Sequence, residues 1–132
     1  MLENSKHIII VGAGIAGLTA ALSLRHYGIR ASIYERSPEI ITAGAGIQLS
    51  PNANRVLSRI GVLKEISSVS IRCHGVKVFD YKSNRQLALF DYMKFKGNDF
   101  FYFCHRADLV GVLYAACQKL EIPVYFNKKL EK

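Results

Sequence analysis

The sequence predicts an α/β fold built on a parallel sheet, and three observations predict it. An apolar, β-branched run, His7-Ile8-Ile9-Ile10-Val11, leads into a glycine-rich turn, Gly12-Ala13-Gly14-Ile15-Ala16-Gly17. A helix-patterned segment follows, with Ile15, Leu18 and Leu22 at spacings of three and four and Gly28 where a helix stop is expected. A second apolar stretch, Arg30-Ala31-Ser32-Ile33-Tyr34, then closes on an acid, Glu35. Strand, turn, helix and strand in this order make a parallel βαβ unit.

The glycine spacing carries chemistry as well as shape. Gly12 permits a tight turn at the end of a strand, Gly14 lets backbone approach a pyrophosphate, and Gly17 lets the following helix pack against the strand. The amides at that helix start would face two negative charges. Glu35 stands 18 residues after Gly17, close to the distance of about 20 expected for a ribose-binding acid. An acid here favours a 2′-hydroxyl over a 2′-phosphate, so the motif predicts FAD or NAD and argues against NADP at this site. A purely structural strand–turn–helix is the alternative. The strand before the motif, the helix after it and the acid at its distance weigh against that alternative.

The uncharged stretch from Ile8 to Leu24, between Lys6 and Arg25, also has the look of a signal peptide or a marginal membrane span. At 17 residues it sits at the short limit for a spanning helix. Three glycines lower its apolar density, Glu3 precedes it, and a new strand follows in place of a cleavage pattern. The expectation is a soluble, cytoplasmic protein with no membrane span.

The chain has 132 residues, which suggests one domain or a piece of one, and its 50% hydrophobic content excludes wholesale disorder. The net charge of +8 is spread out, with only Lys128-Lys129 adjacent, so no nucleic-acid stripe is present. A positive field would still attract phosphorylated cofactors or anionic substrates. Cys73, Cys104 and Cys117 are odd in number and lack metal-type spacing. They read as reduced thiols, with no metal site.

Further along, Arg36-Ser37-Pro38-Glu39 reads as a turn and Ala43-Gly44-Ala45-Gly46-Ile47-Gln48-Leu49 as a small-residue loop. A helix is expected next, capped by Ser50 with Pro51 at its first position. Its apolar face would be Ala53, Val56, Leu57 and Ile60, and Gly61 would end it. Val62 to Ile66 suggests another helical turn. Gly75 to Phe90 reads as a hairpin around Lys82-Ser83-Asn84-Arg85, and Phe100 to Phe103 as a strand. A helix from about 107 to 120 presents Leu109, Val112, Leu113, Ala116, Cys117 and Leu120. Ile122 to Phe126 reads as a last strand, with Pro123 at its beginning, where a missing N–H costs least.

Four segments together make a resemblance. They are Gly12 to Leu18, Tyr34-Glu35-Arg36, Gly44-Ala45-Gly46-Ile47-Gln48-Leu49-Ser50-Pro51-Asn52, and His105-Arg106-Ala107-Asp108-Leu109. With them the sequence resembles the N-terminal part of the FAD-dependent aromatic-ring monooxygenases, the flavoprotein family of salicylate hydroxylase-like and 4-hydroxybenzoate hydroxylase-like enzymes. The resemblance covers essentially the whole chain. It implies a Rossmann-like FAD-binding fold with a parallel sheet and the start of an inserted β-rich substrate layer, incomplete in this chain. Residues 1–66 and 104–132 would form the dinucleotide-binding part, and residues 67–103 the start of the substrate layer.

The resemblance also implies site roles. Gly12, Ala13, Gly14, Ile15, Ala16 and Gly17 would hold the FAD pyrophosphate. Glu35 would bind the adenosine ribose, with Arg36 beside it. Gly46 and Ile47 would lie near the ribityl chain and flavin, Arg106 would reach the FAD from the start of the long helix, and Leu130 would contact the adenine. Flavin reduced by NAD(P)H would use oxygen to hydroxylate a small aromatic substrate.

Family members are much longer and carry an Asp-Gly and a later Gly-Asp motif. The only glycines here after Gly75 are Gly97 and Gly111, neither in such a pair. The expectation is an N-terminal segment that works only with a complementing C-terminal chain, or else a non-catalytic nucleotide-binding remnant. His7, His26, His74 and His105 read as surface or strand-end residues, so no catalytic residue is expected. Val76, Leu87, Leu89 and the Phe100 to Phe103 cluster would lack cover and favour association.

Overall fold

The computed structural model describes residues 7–40, 44–94 and 100–131. Glu3, Lys6, Ala43 and Gly97 of the sequence reading lie outside them. The chain runs β1 (His7–Val11), α1 (Ile15–His26), β2 (Arg30–Tyr34), β3 (Gly46–Leu49), α2 (Pro51–Arg59), α3 (Leu63–Ser68), β4 (Ile71–Cys73), β5 (Gly75–Phe79), β6 (Gln86–Asp91), β7 (Phe101–His105), α4 (Arg106–Lys119) and β8 (Val124–Tyr125). A short 3-10 turn, Tyr92–Lys94, follows β6.

The predicted parallel sheet is present, in the order β1-β2-β8. β1 and β2 pair in parallel from His7↔Arg30 to Val11↔Tyr34, and β8 pairs in parallel with β2. Period-2 alternation along β1 sends Ile10 into the core and leaves Ile9 and Val11 outside. α1 and α4 pack together on the core face. Leu18 and Leu22 of α1 and Leu109, Leu113 and Cys117 of α4 are fully buried with Ile33 of β2 and Ile66 of α3. Both expected stop glycines take left-handed backbone, with φ of +73° at Gly28 and +80° at Gly61.

The excursion between β2 and α4 forms two small antiparallel sheets. One has the order β3-β7-β4 and the other is the β5–β6 hairpin. The hairpin turn is tied by Asp80, whose carboxylate accepts the Ser83 amide at 2.7 Å, with Asn84 in left-handed backbone at φ 53°. Several local expectations differ from what is found. Of the glycine-rich stretch expected as a loop, Gly46–Leu49 forms strand β3, because β7 supplies its ladder from Gly46↔His105 to Leu49↔Tyr102. β4 has only three residues and no periodic signal of its own. β8 is likewise only Val124–Tyr125, since Pro123 stays outside the strand and offers its carbonyl to the Ile33 amide at 2.9 Å.

On α2, Ser50 stands at the cap position, but its hydroxyl bonds Asn52 Oδ1 and no backbone amide. Val56, expected on the buried face, is exposed. Asn54 is buried beside Leu57, with its Nδ2 donating to the Phe100 carbonyl at 2.6 Å.

Among the described residues, one face of the parallel sheet carries helices and the other does not. Ile9 is 65% and Val11 57% exposed, and Leu130 lies beside them. The hairpin is also bare: Val76, Val78, Phe79, Leu87, Leu89 and Phe90 are all exposed. Parallel strands are ordinarily covered on both faces, and contiguous apolar patches of this kind favour association. Leu113→Ala, at a fully buried site, should destabilise the fold by about 2–5 kcal/mol in urea unfolding. Ile9→Thr should leave stability within about 0.5 kcal/mol and reduce self-association in size-exclusion chromatography. Unchanged association would show that the bare sheet face is not responsible.

Candidate functional site

The site is built where β1 ends. The Gly12 amide donates to the Tyr34 carbonyl at 2.8 Å, which fastens the glycine turn to the end of β2. α1 starts from Gly14 with no side-chain cap and no acid in its first turn. The first-turn amides therefore lack the side-chain acceptors that commonly cap a helix start, and they suit an anionic ligand. A Cβ on Gly17 would stand 2.0 Å from the Gly12 carbonyl oxygen, so helix and turn touch backbone to backbone. A Cβ on Gly14 would meet nothing within 4 Å. The turn is thus closed on its protein side and open on the other.

Glu35 lies at the neighbouring strand end, and its carboxylate points into this turn. Oε2 accepts the Ala13 amide at 2.7 Å and Oε1 accepts the Ser37 amide at 2.9 Å. Those two bonds, the Ser37 one foremost, hold the carboxyl below its ordinary value of 4.5, and nearby Arg36 adds a smaller pull. The acid is ionised at neutral pH and fixed in orientation, leaving acceptor capacity for a hydroxyl pair.

The far wall comes from β7 and α4. His105 ends β7 and precedes α4, whose first residue is Arg106. The Arg106 amide donates to the Ala45 carbonyl at 3.2 Å. Its aliphatic stem lies over Gly44, where a Cβ would come within 2.9 Å of Arg106 Cδ. The result is a crevice of about 420 Å³ lined by Gly12, Ala13, Gly14, Glu35, Arg36, Ile40, Arg106 and Val110. It joins bare backbone, one carboxylate, two guanidiniums and two aliphatic side chains.

Six of the expected site residues, Gly12, Ala13, Gly14, Glu35, Arg36 and Arg106, therefore converge. Ile15, Ala16 and Gly17 form the first turn of α1 at its edge. Gly46 and Ile47 lie on β3, paired with His105 and Cys104 beside Arg106. Leu130 is not brought into this crevice. It lines a separate groove with Ile9, Val11 and Tyr34 on the bare sheet face. Three contributors escaped the sequence reading. Val110 stands four residues after Arg106, one helical turn along the same face, so its spacing could have revealed it. Ser37 and Ile40 sit in the turn after Glu35, where no periodicity points to a role.

Burial pushes the Cys117 thiol up to about 11, and burial is also the main cause raising Cys104, which makes both poor nucleophiles. The three cysteines are free. Among the described residues no group of three metal-ligating side chains occurs, and no helix is long and apolar enough to cross a membrane. His7 bonds Ser32 at 2.7 Å between strands.

Helix-start amides, a fixed carboxylate and guanidiniums in one crevice on a parallel βαβ unit have the form of a dinucleotide site, and comparison narrows the class. Residues 5–132 match the family model described as FAD binding domain. The chain is 36% identical over 112 residues to 3-amino-4-hydroxybenzoate 2-monooxygenase of Streptomyces cremeus, covering 83% of this chain and 28% of that protein. It is 36% identical over 118 residues to 3-hydroxybenzoate 6-hydroxylase 1 of Aquipseudomonas alcaligenes, covering 86% and 30% respectively. The tetrameric form of 2-methyl-3-hydroxypyridine-5-carboxylic acid oxygenase superposes with a TM-score of 0.81 at 25% identity, over 94% of this chain and 32% of that one. CtdE, solved with FAD and a substrate, gives 0.77 at 27% identity, over 92% and 30%. The chain belongs to the FAD-binding domain family of the flavin-dependent aromatic monooxygenases, and it spans under a third of the length of these relatives.

Two glycines and the acid can be separated experimentally. Gly17→Ala drives a methyl group into the Gly12 carbonyl and should lower unfolding stability by about 1–3 kcal/mol. Gly14→Ala has room and should fold with an unchanged melting temperature while losing dinucleotide affinity in titration. Because the folded Glu35 carboxyl is held below 4.5, its stabilising contribution is complete above the unfolded value near pH 4.5. That contribution is lost as pH falls through the lower, folded value. Glu35→Gln should therefore flatten the acid side of a plot of melting temperature against pH and leave its neutral side nearly level.

Proposed function

We propose that this chain is the FAD-holding segment of a monooxygenase that hydroxylates a small aromatic compound with NAD(P)H and oxygen. The observation that carries the reading is one crevice containing the open glycine backbone, an ionised and oriented Glu35, and Arg106. The donor set fits the cofactor. Backbone amides at the start of α1 suit the diphosphate, and a fixed carboxylate suits the ribose diol. The Arg106 guanidinium offers several directed donors to a phosphate or ribityl oxygen.

In this reading Gly12, Ala13, Gly14, Ile15, Ala16 and Gly17 hold the diphosphate, and Glu35 and Arg36 hold the adenosine. Gly46 and Ile47 border the ribityl chain with their backbone, while Leu130, in its separate groove, takes no part in the adenosine contact. Bound flavin supplies the oxygen chemistry. The residues of this chain bind it, orient it and keep water from one side. Residues 1–66 and 104–132 form the dinucleotide-binding part, and residues 67–103 begin the layer that receives the aromatic ring. The benzoate- and pyridine-type names of the relatives support an aromatic substrate. Buried reduced thiols are in keeping with the cytoplasm.

The bare face of the parallel sheet favours a second reading. Turnover then needs a complementing chain laid over Ile9, Val11 and the hairpin, and the segment alone binds dinucleotide without catalysis. The test is the visible spectrum of the purified chain during titration with FAD. Saturable flavin bands that co-elute with the protein are expected, and Glu35→Ala should weaken binding by about tenfold or more. Unchanged affinity in that variant would remove the ribose assignment.

A further inference from the structure

Asn54 is buried in α2, and one end of its amide is used: Nδ2 donates to the Phe100 carbonyl at 2.6 Å. Oδ1 has no hydrogen-bond partner among the described residues. A buried amide with one idle end costs free energy relative to an apolar side chain, and buried Leu57 shows that this helix offers an apolar environment. The stability of the core therefore does not explain an asparagine at position 54.

The strand that Asn54 holds needs an anchor. β7 carries bulky apolar side chains on both faces, with Tyr102 and Cys104 toward the core and Phe101 and Phe103 away from it. Its partner β3 begins at Gly46, just after Gly44-Ala45. Alternation sets register where one face is apolar and the other polar, and it sets register poorly in glycine-rich strands. β4, the other neighbour, adds a ladder of only three pairs, Ile71↔Phe103 to Cys73↔Phe101. Asn54 supplies what the pattern lacks. α2 starts at Pro51, directly after β3 and Ser50, and the Asn54 amide donates to the Ser50 carbonyl at 3.0 Å. Position 54 is thereby fixed relative to β3, and its side chain reaches the residue that precedes β7. At the far end of β7, the pair Gly46↔His105 and the bond from the Arg106 amide to the Ala45 carbonyl bring Arg106 to the crevice of the glycine turn and Glu35. A slip of one residue would move the chain by about 3.3 Å and take the guanidinium out of hydrogen-bonding reach.

We infer that Asn54 is a positioning residue for the dinucleotide site. Its bond to the Phe100 carbonyl holds β7 in register with β3, and that register places Arg106 in the crevice. Setting register is the best-attested use of a buried polar group. The inference rests on the FAD reading for its ligand but not for the register itself.

The test uses the full chain carrying Asn54→Leu, which keeps the volume and removes the donor. FAD affinity, read by flavin fluorescence, should fall by about tenfold while far-UV circular dichroism matches the parent chain. If Asn54→Leu fails to fold, Asn54→Ala must show the same loss. In an Arg106→Ala background, Asn54→Leu should cost little further affinity, because the group it positions is gone. An undiminished loss in that background would make Asn54 merely structural and overturn the proposal. Register is read without flavin in Gln48→Cys/Phe103→Cys, since these exposed positions are ladder partners. Oxidation should close the disulfide in the parent background and close it more slowly with Asn54→Leu. Once closed, the disulfide should restore FAD affinity to the Asn54→Leu chain, and reduction should remove the rescue. Equal cross-linking in the two backgrounds, or no rescue, would overturn the proposal. A parent chain that binds no FAD would instead overturn the proposed function, and the cross-linking comparison would still decide whether Asn54 sets the register.

Discussion

The contact between the Glu35 carboxylate and the Ala13 amide is the interaction on which the rest of the structure turns. It joins the end of β2 to the turn after β1, and the bond from Gly12 to the Tyr34 carbonyl runs beside it. Two neighbouring strand ends are thereby held as one edge. The same carboxylate also binds the Ser37 amide, so its direction is set from both sides before any ligand arrives. A pre-oriented acceptor loses little freedom on binding, and that preserves affinity.

The second wall depends on long-range pairing. Arg106 reaches the crevice because β7 is registered antiparallel to β3 and α4 begins as β7 ends. Gly44 yields the space that the Arg106 stem fills. A bulkier residue there would displace the Arg106 stem and with it the guanidinium. The two walls are thus coupled through a core that α1 and α4 share, with Leu18, Leu22, Leu109 and Leu113 at its centre. Close packing of that core transmits any displacement of α4 to the start of α1.

Exposed apolar side chains stand beside cations in several regions of the surface. On the sheet face Ile9, Val11 and Leu130 stand beside Lys128 and Lys129, and on the hairpin exposed Lys77 separates Val76 from Val78. In the groove between α1 and α2, Val56 and Tyr27 lie beside Arg55 and Arg59. The basic charge of the chain is uneven in effect: Arg36 and Arg106 serve the crevice, while Arg55 and Arg59 border the groove.

Local pattern determined a good part of this protein. The β-branched run of β1, the glycine turn, the spacing of Leu18 and Leu22 and the distance to Glu35 were each legible, because every one is a short-range rule of backbone geometry. The strand at Gly46–Leu49 was not legible, since glycine-rich backbone becomes β only when a partner such as β7 completes its hydrogen bonds. Val56 turns outward on α2 for a related reason. Asn54 finds its partner at Phe100, 46 residues away, and a helix rotates toward whichever face the whole chain can bury. Leu130 went to a different groove because the path after β8 depends on the bond from the Lys128 amide to the Glu35 carbonyl. Composition and spacing therefore determined the dinucleotide turn and its acid. Tertiary structure alone decided which distant side chains face that turn, because contacts between residues far apart in the chain leave no periodic trace.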